Sequence, residues 1–218
     1  MSLPEFCSSP PAHSHFMKRN EAAARLGIAR GSLDKLVRAG MLSLPIPVAD
    51  VEAMANRPWL SVKEGQLTVL RTDARAEAYP GEDRRYIGFH VEHDRELLSE
   101  TSLRWWRSTP EKIVENELFA VTVSTIPVAV YRITGVAGRM FRGDEDAPRF
   151  SYEGELLSMW PSAHIRSGTG YAALATRVQQ IMGSRIAVAS GGPIGYLSPT
   201  GSASLAGSAS AAVSSPGR

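Results

Sequence analysis

Cysteine is almost missing: Cys7 is the only one in 218 residues, so the chain can form neither an internal disulfide nor a cysteine-based zinc site. No apolar run approaches the roughly 18 residues that a membrane span requires, and no basic leader followed by an apolar core opens the chain. These absences predict a soluble, cytoplasmic protein with no membrane partner. Acidic residues are absent from 161 to 218, whereas 61 to 160 holds 13 basic and 17 acidic residues. The formal charge of +2 therefore hides segregation, and a uniformly basic nucleic-acid coat is excluded. There is no Walker loop, no GxSxG elbow and no paired-carboxylate pattern above the surface background. The expectation is no enzyme, no catalytic residue, no cofactor and no metal.

What is present is concentrated in residues 17 to 57. Asn20 is placed to cap a helix with Ala23 and Leu26 inward, and Gly27 ends it where a left-handed residue is needed. A second helix from about Arg30 to Ala39 sets Leu33, Leu36 and Val37 on one face and Arg30, Ser32, Asp34, Lys35 and Arg38 outward. Residues 18 to 38 carry six Lys or Arg against two acids, Glu21 and Asp34. Two short helices joined by a tight glycine turn make a helix-turn-helix, whose second helix fits a DNA major groove. Arg30 is placed for base edges, and Lys18, Arg19, Lys35 and Arg38 for phosphates. An ordinary helical hairpin with a solvated basic face is the plainer alternative; turn, glycine and charge placement together favour DNA.

The segment EAAARLGIARGSLDKLVRAGML resembles the excisionase and MerR-type helix-turn-helix, whose pattern runs EAAxxLGVSxxTVxxLIxxGxL. The likeness continues through Pro47 to Met54, similar to the short helix after the wing. It implies double-stranded DNA as partner, read through the helix at 30 to 39. Two departures stand out: the wing is cut to Leu42-Ser43-Leu44-Pro45 with no arginine, and Ala29 replaces the usual polar cap, a loss of about 1 kcal/mol to that helix start.

Residues 1 to 16 read as a disordered arm, and Arg57-Pro58 closes a first domain over 17 to 58. From 62 the period becomes two, with strands expected at 66 to 71, 84 to 91, 118 to 123, 128 to 134 and 149 to 156, and short helices in 94 to 108 and from Pro110 to Asn116. A further helix runs to Met182. Residues 199 to 218 are Gly, Ser and Ala and read as a disordered tail. The expected fold class is α+β: the helical domain plus a partly closed β-barrel with short helices over 62 to 198. Within it, the order of Leu103-Arg104-Trp105-Trp106-Arg107, Leu118 to Val123, Val130-Tyr131-Arg132-Ile133 and Arg149-Phe150-Ser151-Tyr152-Glu153-Gly154 resembles the PUA-like group that includes the EVE and ASCH domains. The likeness resumes at Ile181 to Ile186 and Gly192 to Leu197. The ASCH signature GxKxxExR is absent.

Aromatics make up only 7% of the chain, so the adjacent Trp105 and Trp106 between Arg104 and Arg107 stand out as a stacking site for a flipped or single-stranded base, walled by Tyr86, Phe89 and Trp106. Burial of at least one indole in the core is the competing reading. His90-Val91-Glu92 has the His-x-Glu spacing of zinc deaminases, but their Pro-Cys-x-x-Cys partner cannot exist here. A satisfied histidine at a strand end is the plainer reading, as it is for His13 and His15. Gly168-Thr169-Gly170-Tyr171-Ala172-Ala173 matches GxGxxA with no clear strand before it and no acid about 20 residues on. The leading functional expectation is a sequence-specific DNA-binding protein of bacterial or phage type: a transcriptional regulator, or a phage-type or defence-type accessory factor. The barrel would add nucleic-acid contact or sense a ligand. A small helix-turn-helix buries little surface, which calls for a homodimer or help from the barrel. The alternative is a modified-base or RNA reader working through the barrel, with the helix-turn-helix as a tether.

Overall fold

The computed structural model describes residues 15–143, 145–161, 172–189 and 191–199. Arm residues 1–14, the glycine stretch Gly168 to Tyr171 and the tail beyond Pro199 lie outside them. In chain order the elements are β1 (Phe16–Met17), α1 (Arg19–Leu26), α2 (Arg30–Arg38), β2 (Ile46–Pro47), α3 (Val48–Ala55), β3 (Leu67–Thr72), β4 (Ala76–Glu77), β5 (Tyr86–Ile87), α4 (Arg95–Leu103), α5 (Pro110–Asn116), β6 (Leu118–Val123), β7 (Ile126–Met140), β8 (Arg149–Met159), α6 (Ala172–Gly183) and β9 (Ile194–Leu197). The fold class is α+β. Among the described residues no helix is long and apolar enough to cross a membrane.

The first helix begins a residue before the expected cap. Lys18 stands at the cap position, its backbone N–H donating to Glu21 Oε2 at 3.0 Å, while Asn20 lies inside the helix. Ala22, Ala23 and Leu26 are buried, and Gly27 at φ 61° reverses the chain toward α2. Ala29 precedes α2 and makes no side-chain cap bond. Leu33 and Leu36 are fully buried, and the Arg25 guanidinium grips Glu52 of α3 through two bonds, Nε to Oε1 at 2.6 Å and Nη2 to Oε2 at 2.5 Å. Phe16, expected as the end of a mobile arm, and Met17, the first residue of the expected helical domain, pair with Pro47 and Ile46 as β1 against β2.

The larger sheet has the order β8-β7-β6-β3-β9, with β3 parallel to β6 and the other neighbours antiparallel. A parallel pair needs a crossover, which here carries β4, β5, α4 and α5. Strand β6 is buried along nearly its whole length because the sheet is covered on both faces. Leu70, Phe119, Val121 and Tyr131 share a core cluster with Leu26, Leu33 and Leu36 of the N-terminal helices and with Leu98 and Ile113 of α4 and α5. Val69, Ala120 and Val130 pack on the other face with Val178, Ile181 and Met182 of α6.

Three expectations are corrected here. Among the described residues the sheet is open and no closed barrel forms: β8 and β9 occupy opposite edges, with β7, β6 and β3 between them. The strand expected over 84 to 91 shrinks to Tyr86–Ile87, because Gly88 at φ 92° breaks the extension and turns Phe89 into the core. The hairpin turn is tighter, at Ser124-Thr125, and β7 continues to Met140 because β8 pairs with it as far as Arg149. Bulges along that ribbon increase its twist.

Candidate nucleic-acid interface

The apolar side of α2 is seated by Leu33 and Leu36; Gly31, Asp34, Lys35 and Arg38 fall on the side away from it, and Arg30, one turn before Leu33, lies at its margin. Arg30, in the first turn, is exposed and has no ion-pair partner among the described residues. Ser32 and Asp34 are half-buried. Arg19 of α1 bonds Asp34 Oδ1 at 3.1 Å, and the Lys18 side chain is exposed. The rear half of the helix face is engaged by the sheet region. Lys35 Nζ lies 2.9 Å from Asp73 Oδ2, and Arg38 Nη2 lies 3.2 Å from Asp73 Oδ1. The Ala74 N–H also donates to Asp73 Oδ1, at 2.8 Å. Partial burial pushes the Asp73 carboxyl up; the bonds from Lys35 and Ala74, with the charges of Lys35 and Arg38, outweigh it and hold the group below its ordinary value. The two rear cations expected to face phosphates are thus shared with a carboxylate of the chain itself.

The residues expected around a base do not converge on one cavity. Phe89 and Trp106 are 1% and 4% exposed, so neither offers a free ring face. Trp106 Nε1 donates to Ser102 O at 2.7 Å, and the Arg84 guanidinium carbon lies 5.1 Å from the indole centre. Trp106 is core because its backbone joins Phe150 of β8, which draws the ring beneath α4. Trp105 turns the other way. It takes φ 60°, its Nε1 donates to Asp83 Oδ1 at 2.7 Å, and its ring lies against Gly138, where a Cβ would stand 3.3 Å from Cη2. Arg104 bonds the same Asp83, at 3.0 Å, and Arg107 bonds Asp146 at 2.6 Å. Tyr86 sits apart from this group, half-buried between Arg75 and Arg85, whose guanidinium carbons are 5.4 Å and 4.8 Å from its ring centre.

Several participants escaped the sequence reading. Asp73, Arg75 and Arg85 are among them, the two arginines brought over the expected Tyr86 by the β4-β5 pairing, and the Glu82 side chain is buried between Arg84 and Arg142. Only the alternation around Tyr86 carried a readable signal. His90 Nδ1 accepts a bond from the Glu92 N–H at 3.3 Å, as a satisfied loop histidine does. Among the described residues no group of three or more His, Cys, Asp or Glu is placed to hold a metal ion.

Two clefts remain. One of about 680 Å³ between α4 and β8 is lined by Glu96, Glu100, Glu153 and Glu155 with Arg104, a surface that repels phosphate. The other, about 940 Å³, lies between residues 59–67 and α6 and mixes Lys63 and Arg177 with Glu64, Glu115 and Glu117. Set against protein-family models, curated proteins and solved structures, the chain matches none of them.

Proposed function

We propose that the chain is a sequence-specific DNA-binding protein, a transcriptional regulator or a phage or defence accessory factor, in which residues 17 to 58 act as a helix-turn-helix. The observation that carries this reading is Arg30, exposed in the first turn of a helix anchored by the buried Leu33 and Leu36 and without an ion-pair partner among the described residues. The leading residues of a recognition helix are the ones that meet base edges, and the exposed Lys18 before α1 would meet a flanking phosphate, joined by Arg19 where it leaves Asp34. The region 62 to 198, read as PUA-like, adds nucleic-acid contact or senses a ligand. A single module of this size buries too little surface for tight binding, so a second copy of the chain or that region supplies the remainder.

Genomic fragments selected by the full-length protein provide the test. Arg30→Ala is expected to weaken binding to selected fragments by about 1–3 kcal/mol and to narrow their advantage over random duplex, while Lys18→Ala weakens all duplexes alike. An Arg30→Ala protein that binds the selected fragments as tightly as the parent defeats the reading.

Trp105 favours a second reading, that of a modified-base or RNA reader. A bulky residue at φ 60° is costly, and here the cost presents a half-exposed indole beside Arg104. Selective binding of base-modified or RNA oligonucleotides that Trp105→Ala abolishes supports it.

A further inference from the structure

The β4-β5 ribbon stands where α2 ends. The Val91 N–H donates to Ala39 O at 3.0 Å, and a Cβ on Gly40 would lie 2.7 Å from Val91 Cγ2, so the chain after β5 packs directly on the end of α2. Ala74 is buried while Asp73 and Arg75 on either side of it are exposed. Alternation therefore points Arg75 to the same solvent side as Asp73, the carboxylate that holds Lys35 and Arg38. Arg75 and Arg85 then lie over Tyr86. A guanidinium laid on a ring is oriented and weakly hydrated, which suits it to meet a phosphate with little reorganisation. The acids beside them are Asp73, Glu77, Asp83, Glu92, which lies 3.8 Å from Arg75, and Glu100, whose Oε1 accepts a bond from the Arg85 N–H at 3.0 Å.

We propose that the DNA-contacting surface is composite, running from α2 over Asp73 onto the ribbon, where Arg75 and Arg85 grip duplex phosphates on the flank of the helix. This rests on the DNA-binding reading above. Asp73 offers one oxygen to Lys35 and the other to Arg38, as the two free oxygens of a phosphodiester would. Its side chain is 50% exposed, so it returns to water readily when a phosphate takes its place. Asp73 thus keeps the two cations aligned in the unbound protein and lowers their pull on any duplex.

Binding of a mixed-sequence 30-base-pair duplex to the full-length chain, followed by fluorescence anisotropy from about 50 to 200 mM salt, tests the proposal. Arg75→Ala and Arg85→Ala are each expected to reduce the slope of log K against log salt by about 1, with Arg75→Lys and Arg85→Lys retaining it, and Asp73→Asn is expected to steepen it by about 1. Circular dichroism of each variant establishes that it is folded. Unchanged slopes in folded Arg75→Ala and Arg85→Ala overturn the composite surface; if Arg30→Ala still weakens binding to selected fragments, the DNA-binding reading stands without it. Tighter binding of the matching single strand than of the duplex also overturns the proposal, and a parent protein that binds no duplex removes both.

Discussion

His93 shows what burial does to a single titratable side chain. It is 3% exposed, neither ring nitrogen has a hydrogen-bond partner among the described residues, and Phe89 meets its ring edge-on at 6.0 Å. Burial first, then the charge of Arg75, pulls the imidazole down to about 4, so it is neutral in the folded protein near pH 7. In the unfolded chain the group takes up a proton at about pH 6.5. Between these values the unfolded state binds more protons, so stability is complete above about pH 6.5 and falls as the pH drops toward 4, by at most about 3 kcal/mol. Urea unfolding at stepped pH is expected to show this loss, and His93→Leu to flatten it within that window; an unchanged slope in the variant assigns the loss to other groups. No periodic pattern announces His93 as buried, because its place depends on the rings of Phe89 and His90, which close around it only after folding.

The elements differ in how far neighbouring residues alone define them. Helices α1, α2 and the Pro110-led α5 stand close to where periodicity places them, and α4 begins at the Asp94 side-chain cap, since 3.6-residue periodicity is a property of near neighbours, although neither α1 nor α2 has a side-chain cap bond. The short β5 does not follow its sequence, because the β-rich run from Arg84 to Val91 is cut by Gly88 and by a partner strand only two residues long. Two glycines distinguish backbone freedom from crowding. Gly27 has nothing within 4 Å of where a Cβ would stand, so Gly27→Ala is expected to cost only the left-handed conformation, about 1–2 kcal/mol by chemical denaturation. At Gly88 the same atom would meet the Ala74 carbonyl oxygen at 2.5 Å, and Gly88→Ala is expected to cost about 3 kcal/mol or more. Equal losses in the two variants would mean that the β4-β5 region yields more easily than its packing implies.

Across the whole molecule, the N-terminal helices and the sheet are joined by more than the apolar cluster they share. Arg185, just after α6, donates through Nη2 to the Leu26 carbonyl at the end of α1, while its guanidinium lies 4.2 Å from the Trp59 ring centre. Its backbone bonds Pro58 and Leu60 across the stretch where composition alone sets a domain boundary. Arg185→Leu leaves that carbonyl without its donor and is expected to lower stability by about 1–3 kcal/mol. Amide exchange in α1 should rise more than in β6; uniform protection across both elements would remove Arg185 as the tie. Lys35 and Arg38 belong to this scale too, since Asp73, 35 residues beyond Arg38, decides whether they are free charges.

The helices of residues 17 to 57, their buried Leu33 and Leu36 and the outward placement of Arg30 were determined by sequence alone, because helix periodicity and capping depend on residues three or four apart. The β-branched runs at 118 to 123 and 128 to 134 marked the centre of the sheet, because strand alternation and β-branching are read from adjacent residues. Tertiary structure decided that the sheet is open, that Trp106 is core while Trp105 is displayed, and that the rear cations of α2 meet Asp73. Each of these depends on which distant surfaces come together, and no local periodicity encodes that.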